Sequence, residues 1–78
     1  MNKVIAIDNE CRTEYFPLCQ YACSIKFVDG EKTLITFTSI AGIHHTRFVK
    51  GHIDAVSELL NTFLLKSEKI IWLGFVQE

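Results

Sequence analysis

The chain has 78 residues, 49% of them apolar and 22% charged, with a formal net charge of −1. That length predicts one small domain, 1–78, burying only about 60% of its unfolded surface, and the charge balance gives no general attraction to nucleic acid. No apolar run approaches the roughly 20 residues of a membrane span, and Met1-Asn2-Lys3 does not open a signal peptide, so a cytoplasmic protein is expected.

The first predicted element is Val4-Ile5-Ala6-Ile7, four apolar residues in a row, the pattern of a central strand buried on both faces. Asp8 and Glu10 follow. In a continuing strand, residues i and i+2 share a face, so both carboxylates can reach one divalent cation such as Mg or Mn. They are the candidate metal ligands of the chain. Residues 9–20 keep neither the helical nor the strand period and contain the only proline. They predict a loop carrying Arg12, Glu14, Tyr15 and Phe16 at the mouth of the strand. Long irregular loops in compact domains are often functional, so Asp8, Glu10, Arg12, Glu14, Tyr15 and Phe16 are the candidate binding residues.

Cys11, Cys19 and Cys23 form an odd set, which speaks against a secreted disulfide framework and for free thiols in a reducing compartment. Their Cys-x7-Cys-x3-Cys spacing matches no common structural zinc module, even with His44, His45 and His52 at hand. Cys23 reads as a small buried hydrophobe on the inward stripe of its strand.

Residues 21–39 predict a hairpin around Asp29-Gly30. Tyr21, Cys23, Ile25 and Phe27 form one apolar stripe, and Ile35 and Phe37 another. A two-residue loop would pair odd with even residues and split the stripes between faces. A three-residue loop with Gly30 left-handed in a bulge pairs odd with odd, setting Cys23 opposite Ile35 and Tyr21 opposite Phe37. Ala41-Gly42 signals a turn, and residues 44–49 read as a loop rather than a strand. The clear helix spans His52 to Lys66, with Ile53, Val56, Leu60, Phe63 and Leu64 on one stripe and Leu59 beside it. Asp54, Glu58 and Lys66 suit its dipole. Residues 70–76 predict a last strand, apolar on both faces and parallel to the first through the helical crossover.

Strand, hairpin, helix and strand give an α+β fold, a small four-stranded mixed sheet with one helix packed on one face. One helix covers one face. The other, carrying Leu34 and one side of 70–76, is short of cover, which predicts a protein partner or a homodimer through that face.

The residues also resemble a family. Ile5-Ala6-Ile7-Asp8-Asn9-Glu10 is similar to the opening strand of the DEDDh exonucleases, proofreading 3′–5′ exonucleases of RNase H-like fold. Tyr21–Ile25 with Phe27–Lys32 looks like that family's second strand and hairpin. Ile43-His44-His45-Thr46 is similar to its His-Gly-Ile-Thr segment in shifted form. The helix, and the strand ending Trp72-Leu73-Gly74, follow in the family's order. The likeness covers nearly all of this chain and about the first half of that domain. It implies that Asp8 and Glu10 stand for two of the four acids that hold a catalytic metal pair. The other two acids and the general-base histidine have no counterpart in these residues, and Phe75 and Val76 stand where His-Asn is expected. Two-metal hydrolysis needs carboxylates around both ions.

The expected function is therefore a small non-catalytic protein-binding module that docks stoichiometrically, a cut-down exonuclease relative or look-alike with no cofactor. Short phage-encoded inhibitors of host defence, such as anti-CRISPR proteins, are of this size and kind. The alternative is a Mg- or Mn-dependent 3′–5′ exonuclease or nucleotide hydrolase whose site another subunit completes.

Overall fold

The computed structural model describes residues 3–8 and 11–76. Its elements run β1 (Val4–Asp8), β2 (Thr13–Pro17), β3 (Tyr21–Phe27), β4 (Lys32–Ser39), β5 (His44–Lys50), α1 (Ile53–Leu65) and β6 (Ile70–Gly74). The fold is α+β with one helix. In place of one four-stranded sheet there are two of three strands, β2–β1–β6 and β3–β4–β5.

β1 is central in the first sheet, antiparallel to β2 and parallel to β6, with Ile5 opposite both Phe16 and Ile71. The helical crossover predicted from the sequence is thus present. Two expected loops are strands instead. In β2, Glu14 and Phe16 face inward while Tyr15 faces out. In β5, Val49 is buried, and Arg47 and His45 lie on the same side of the strand. Each strand carries a charged residue on its inner side, which breaks the apolar alternation that would have announced it.

The hairpin pairs odd residues with odd ones, as the stripes require, but two residues out of the expected register. Cys23 lies opposite Phe37, Ile25 opposite Ile35 and Tyr21 opposite Ser39. The loop is longer because the Asp29 carboxylate accepts from the backbone N–H groups of Glu31 at 2.8 Å and Lys32 at 3.1 Å, forming an Asx-type turn. Gly30 has no positive φ; among the described residues Gly42 and Gly51 do.

The sheets meet face to face. The Phe16 ring stacks on Phe37, with centroids 4.0 Å apart and planes 2° from parallel. Ile5, Ile7, Phe16, Ile35, Phe37, Val49, Val56, Phe63 and Leu73 form one core drawn from both sheets and the helix. Beyond β6 the chain crosses to the second sheet, where Phe75 bridges Val49 and the Val76 N–H donates to the Phe48 carbonyl at 2.8 Å.

The helix boundaries match the sequence reading, with His52 as N-cap and Lys66 as C-cap. The His52 Nδ1 accepts from the Asp54 N–H at 3.1 Å. Its C-terminal charge comes from elsewhere. Lys3, 5% exposed, donates through Nζ to the carbonyls of Phe63 (2.9 Å), Lys66 (2.7 Å) and Glu68 (2.6 Å). An ammonium has three donors, and all three are used, two on carbonyls at the helix C-terminus and its cap and one on the turn that follows.

β6 departs from its expected burial on both faces. Leu73 is buried, but Ile70 and Trp72 are exposed at 37% and 53%. Helix and second sheet cover only the inner side of β2–β1–β6.

Candidate functional site

Strand pairing sets the side chains of that uncovered side in a grid. Register aligns Pro17, Val4 and Ile70 in one row, Tyr15, Ala6 and Trp72 in the next, and Thr13, Asp8 and Gly74 in the last. Ala6 in the centre is completely buried, while Tyr15 and Trp72 on either side are just over half exposed. A single methyl group on the middle strand lets the flanking rings lean together above it. Their centroids are 6.1 Å apart and their planes cross at 74°, an edge-to-face contact.

One row further on, the exposed Asp8 carboxylate accepts from the Thr13 hydroxyl at 3.3 Å. That bond is long for an O–H donor and leaves most of the carboxylate's capacity open. Among the described residues no cation stands within ion-pair distance of Asp8. The face thus offers two aromatic rings, aliphatic side chains from Val4, Pro17 and Ile70, and a negative charge at one end.

The predicted binding residues separate. Asp8 and Tyr15 share the face, whereas Arg12, its side chain 73% exposed, turns toward Glu14, its Nη2 3.8 Å from Oε2. Phe16 is 5% exposed and belongs to the core. Glu14 points inward, where the Arg47 guanidinium grips it in two parallel bonds, Nε to Oε1 at 2.8 Å and Nη2 to Oε2 at 2.7 Å. The Arg47 hydrogen bonds hold the Glu14 carboxyl below its ordinary range, against the opposing effect of burial. The same bonds raise the Arg47 pKa. This pair clamps β2 to β5 and so the two sheets to each other. Glu10, the second candidate metal ligand, lies outside the described residues, and among those described no group of three or more His, Cys, Asp or Glu converges on one point. Cys23 is exposed by area, not buried, yet desolvation beside the helix pushes its thiol up to about 11.

Sequence reasoning missed Trp72 as a surface residue, because its strand reads as apolar throughout. No period-two contrast was available there, because Ile70, Ile71, Trp72 and Leu73 are all apolar. No helix among the described residues is long and apolar enough to cross a membrane. Comparison with protein-family models, curated proteins and solved structures gives no match.

Proposed function

We infer that this chain is a small non-catalytic binding module that docks stoichiometrically through the outer face of β2–β1–β6. Its partner is a protein presenting arginine or lysine among apolar side chains. The observation that carries this reading is the Tyr15–Trp72 pair held half exposed over buried Ala6, with the open Asp8 carboxylate beside it. Tyrosine and tryptophan are the residues most enriched where binding energy concentrates, and a cation stacks on their faces. Asp8 supplies the complementary charge.

Area favours a partner of another kind over a second copy on this face. Nine residues on three short strands expose on the order of 400 Å², about half of the roughly 800 Å² per side of a standard stable interface. A heterologous partner reaching past the rim of the grid makes up the difference.

Trp72 is the only tryptophan, so its emission reports on the face directly. Titration with an extended peptide alternating leucine and arginine gives a saturable change, weakened at least tenfold by Asp8→Asn and by Tyr15→Ala. A peptide alternating leucine and glutamate gives none. Equal binding of both peptides, or no response to either, sinks the charge argument. Single-strand degradation in Mn²⁺ that Asp8→Ala abolishes would overturn the non-catalytic reading in favour of the exonuclease alternative.

A further inference from the structure

A net charge of −1 gives the whole chain no attraction to polyanions, but its charges are segregated. The positive excess sits on the outer face of β3–β4–β5, on the opposite side of the two packed sheets from the Tyr15–Trp72 grid. On the central strand, Thr33, Ile35 and Phe37 are buried against the core, so Lys32, Leu34, Thr36 and Thr38 point outward. Register sets Lys26 and Phe48 on either side of Leu34, Ser24 and Thr46 on either side of Thr36, and Lys50 beside Lys32. The face therefore joins three lysines, a row of hydroxyl groups and an aromatic ring, and none of the outward residues of these strands is acidic.

Two of the lysines are set against each other. Lys32 and Lys50 are direct partners across the ladder, with Cβ atoms about 4.5–5.5 Å apart, a placement in which like charges are destabilising. Lys26 is a diagonal neighbour of Lys32, roughly 7–8 Å away. Among the described residues no carboxylate lies within ion-pair distance of any of the three. Asp29 and Glu31 border the lysine pair from the turn before β4, but the Asp29 carboxylate is taken up by the backbone N–H groups of that turn. The Lys32 Nζ instead stands 5.2 Å from the Phe48 ring centroid. Opposed lysines without a carboxylate partner leave their counter-charge to come from outside the chain.

We propose that this face binds a single-stranded nucleic acid through its phosphodiester chain. Successive phosphates lie along Lys26, Lys32 and Lys50, and Ser24, Thr36 and Thr46 donate to phosphate and sugar oxygens. A base stacks on the accessible part of the Phe48 ring, an interaction that every base provides. Helix α1 packs on the inner side of the sheet, with Val56 and Phe63 in the core, so it does not rise from the outer face to enter a duplex groove. Leu34 and Phe48 are only partly exposed, so no large apolar side chain stands out from the face to enter a bilayer. Asp8 lies on the other side of the molecule, and the binding requires neither it nor a metal.

Fluorescence anisotropy of a labelled oligothymidylate of about 15 nucleotides, in EDTA, tests the proposal. Binding is saturable at low salt, and log K falls against log salt with a slope of about −2, as three lysine–phosphate contacts on a single strand require. Lys26→Glu and Lys50→Glu, both at exposed positions, each weaken it by about tenfold or more and flatten that slope. Lys66→Glu, at an exposed position beyond the helix, leaves it within about twofold of wild type. No binding at low salt, a slope near zero, or an equal loss with Lys66→Glu overturns the proposal. So does a duplex of the same length bound as tightly as the single strand. Polyglutamate or phosphatidylglycerol vesicles that bind as tightly as the oligonucleotide also overturn it, and assign the face to an acidic protein or a lipid surface. Asp8→Asn and Tyr15→Ala leave oligonucleotide binding intact, and Lys26→Glu leaves binding of the leucine–arginine peptide intact, so the two readings fail separately.

Discussion

Replacing Lys3 with methionine keeps most of the buried stem and removes the ammonium alone. Three carbonyls then lose their donor, those of Phe63 in the last turn of α1, of its C-cap Lys66 and of Glu68 in the turn beyond. The cation 4.6 Å from the Phe63 ring centroid goes with it. Net hydrogen bonds are worth about 1 kcal/mol each, with somewhat under 1 kcal/mol for the helix dipole and a similar amount for the ring contact. The recovered cost of desolvating the ammonium offsets part of that, leaving a loss of about 3 kcal/mol. A domain of this size holds about 4–12 kcal/mol in all, so the midpoint of thermal unfolding falls by about 12–24 °C. Urea denaturation followed by Trp72 emission and by far-ultraviolet circular dichroism measures it. Lys66→Met, an exposed lysine at the same helix end, is the control and stays within about 0.5 kcal/mol of wild type. A Lys3→Met loss below about 1 kcal/mol would refute the view that this ammonium caps the helix and ties its end to β1.

The Glu14–Arg47 clamp predicts a pH dependence. Because the folded pKa of Glu14 lies below its unfolded value, its contribution is complete above the unfolded pKa and is lost as pH falls through the folded one. Glu14→Gln costs about 1–2 kcal/mol near pH 7, and denaturation in strong acid shows that gap closing. At Gly51, φ is +123° and a Cβ would meet the Val56 Cγ2 at 3.2 Å. Gly51→Ala therefore costs about 2 kcal/mol or more by the same assay, whereas Gly30→Ala, with open space around its position, stays within about 1 kcal/mol. The Cys23 thiol, raised from 9.0 to about 11, has about a hundredfold less thiolate at pH 8 than an ordinary thiol. Iodoacetamide labelling followed by peptide mass analysis finds it the slowest of the three cysteines, and labelling as fast as a free thiol would contradict the desolvation.

The parts legible in the sequence are those whose signal is local. β1 and β6 announce themselves by apolar runs, α1 by its stripe and His52 start, and the hairpin's parity by the odd-numbered apolar residues on both arms. Two strands escaped because Glu14 and Arg47 face inward, each a polar break in its own segment. They make sense only as a pair 33 residues apart in the chain. Lys3 escaped for the same reason, since its carbonyl partners lie 60 to 65 positions away. The hairpin register slipped because the Asp29 side chain, rather than a left-handed Gly30, closes the turn. The uncovered face was legible in outline, since a single helix cannot cover two sides of a sheet. Its members were not, because β2 was read as a loop and β6 as buried on both sides. Of the paired carboxylates, Asp8 stands at the rim of that face, and Glu10 falls outside the described residues.

The exposed aromatic pair also bears on how tightly the face can hold anything. Half-exposed, Tyr15 and Trp72 leave roughly 100 Å² of apolar surface each in water, about 2.5 kcal/mol apiece when covered. Together that is about 5 kcal/mol, comparable with the lower end of the whole domain's stability. Ala6 explains how the fold tolerates this, because the rings shelter each other and the strand beneath them without being buried in the core. Yet association alone costs an estimated 4–15 kcal/mol in lost translational and rotational freedom. The rings by themselves therefore barely offset the act of binding. Net affinity has to come from what surrounds them, with Asp8 as the charged group on the face. A partner that matches the rings but not the carboxylate dissociates readily, whereas one that places a cation between Asp8 and the rings removes water from both at once. The specificity of this face thus resides in a single charge at its edge, although most of its area is apolar.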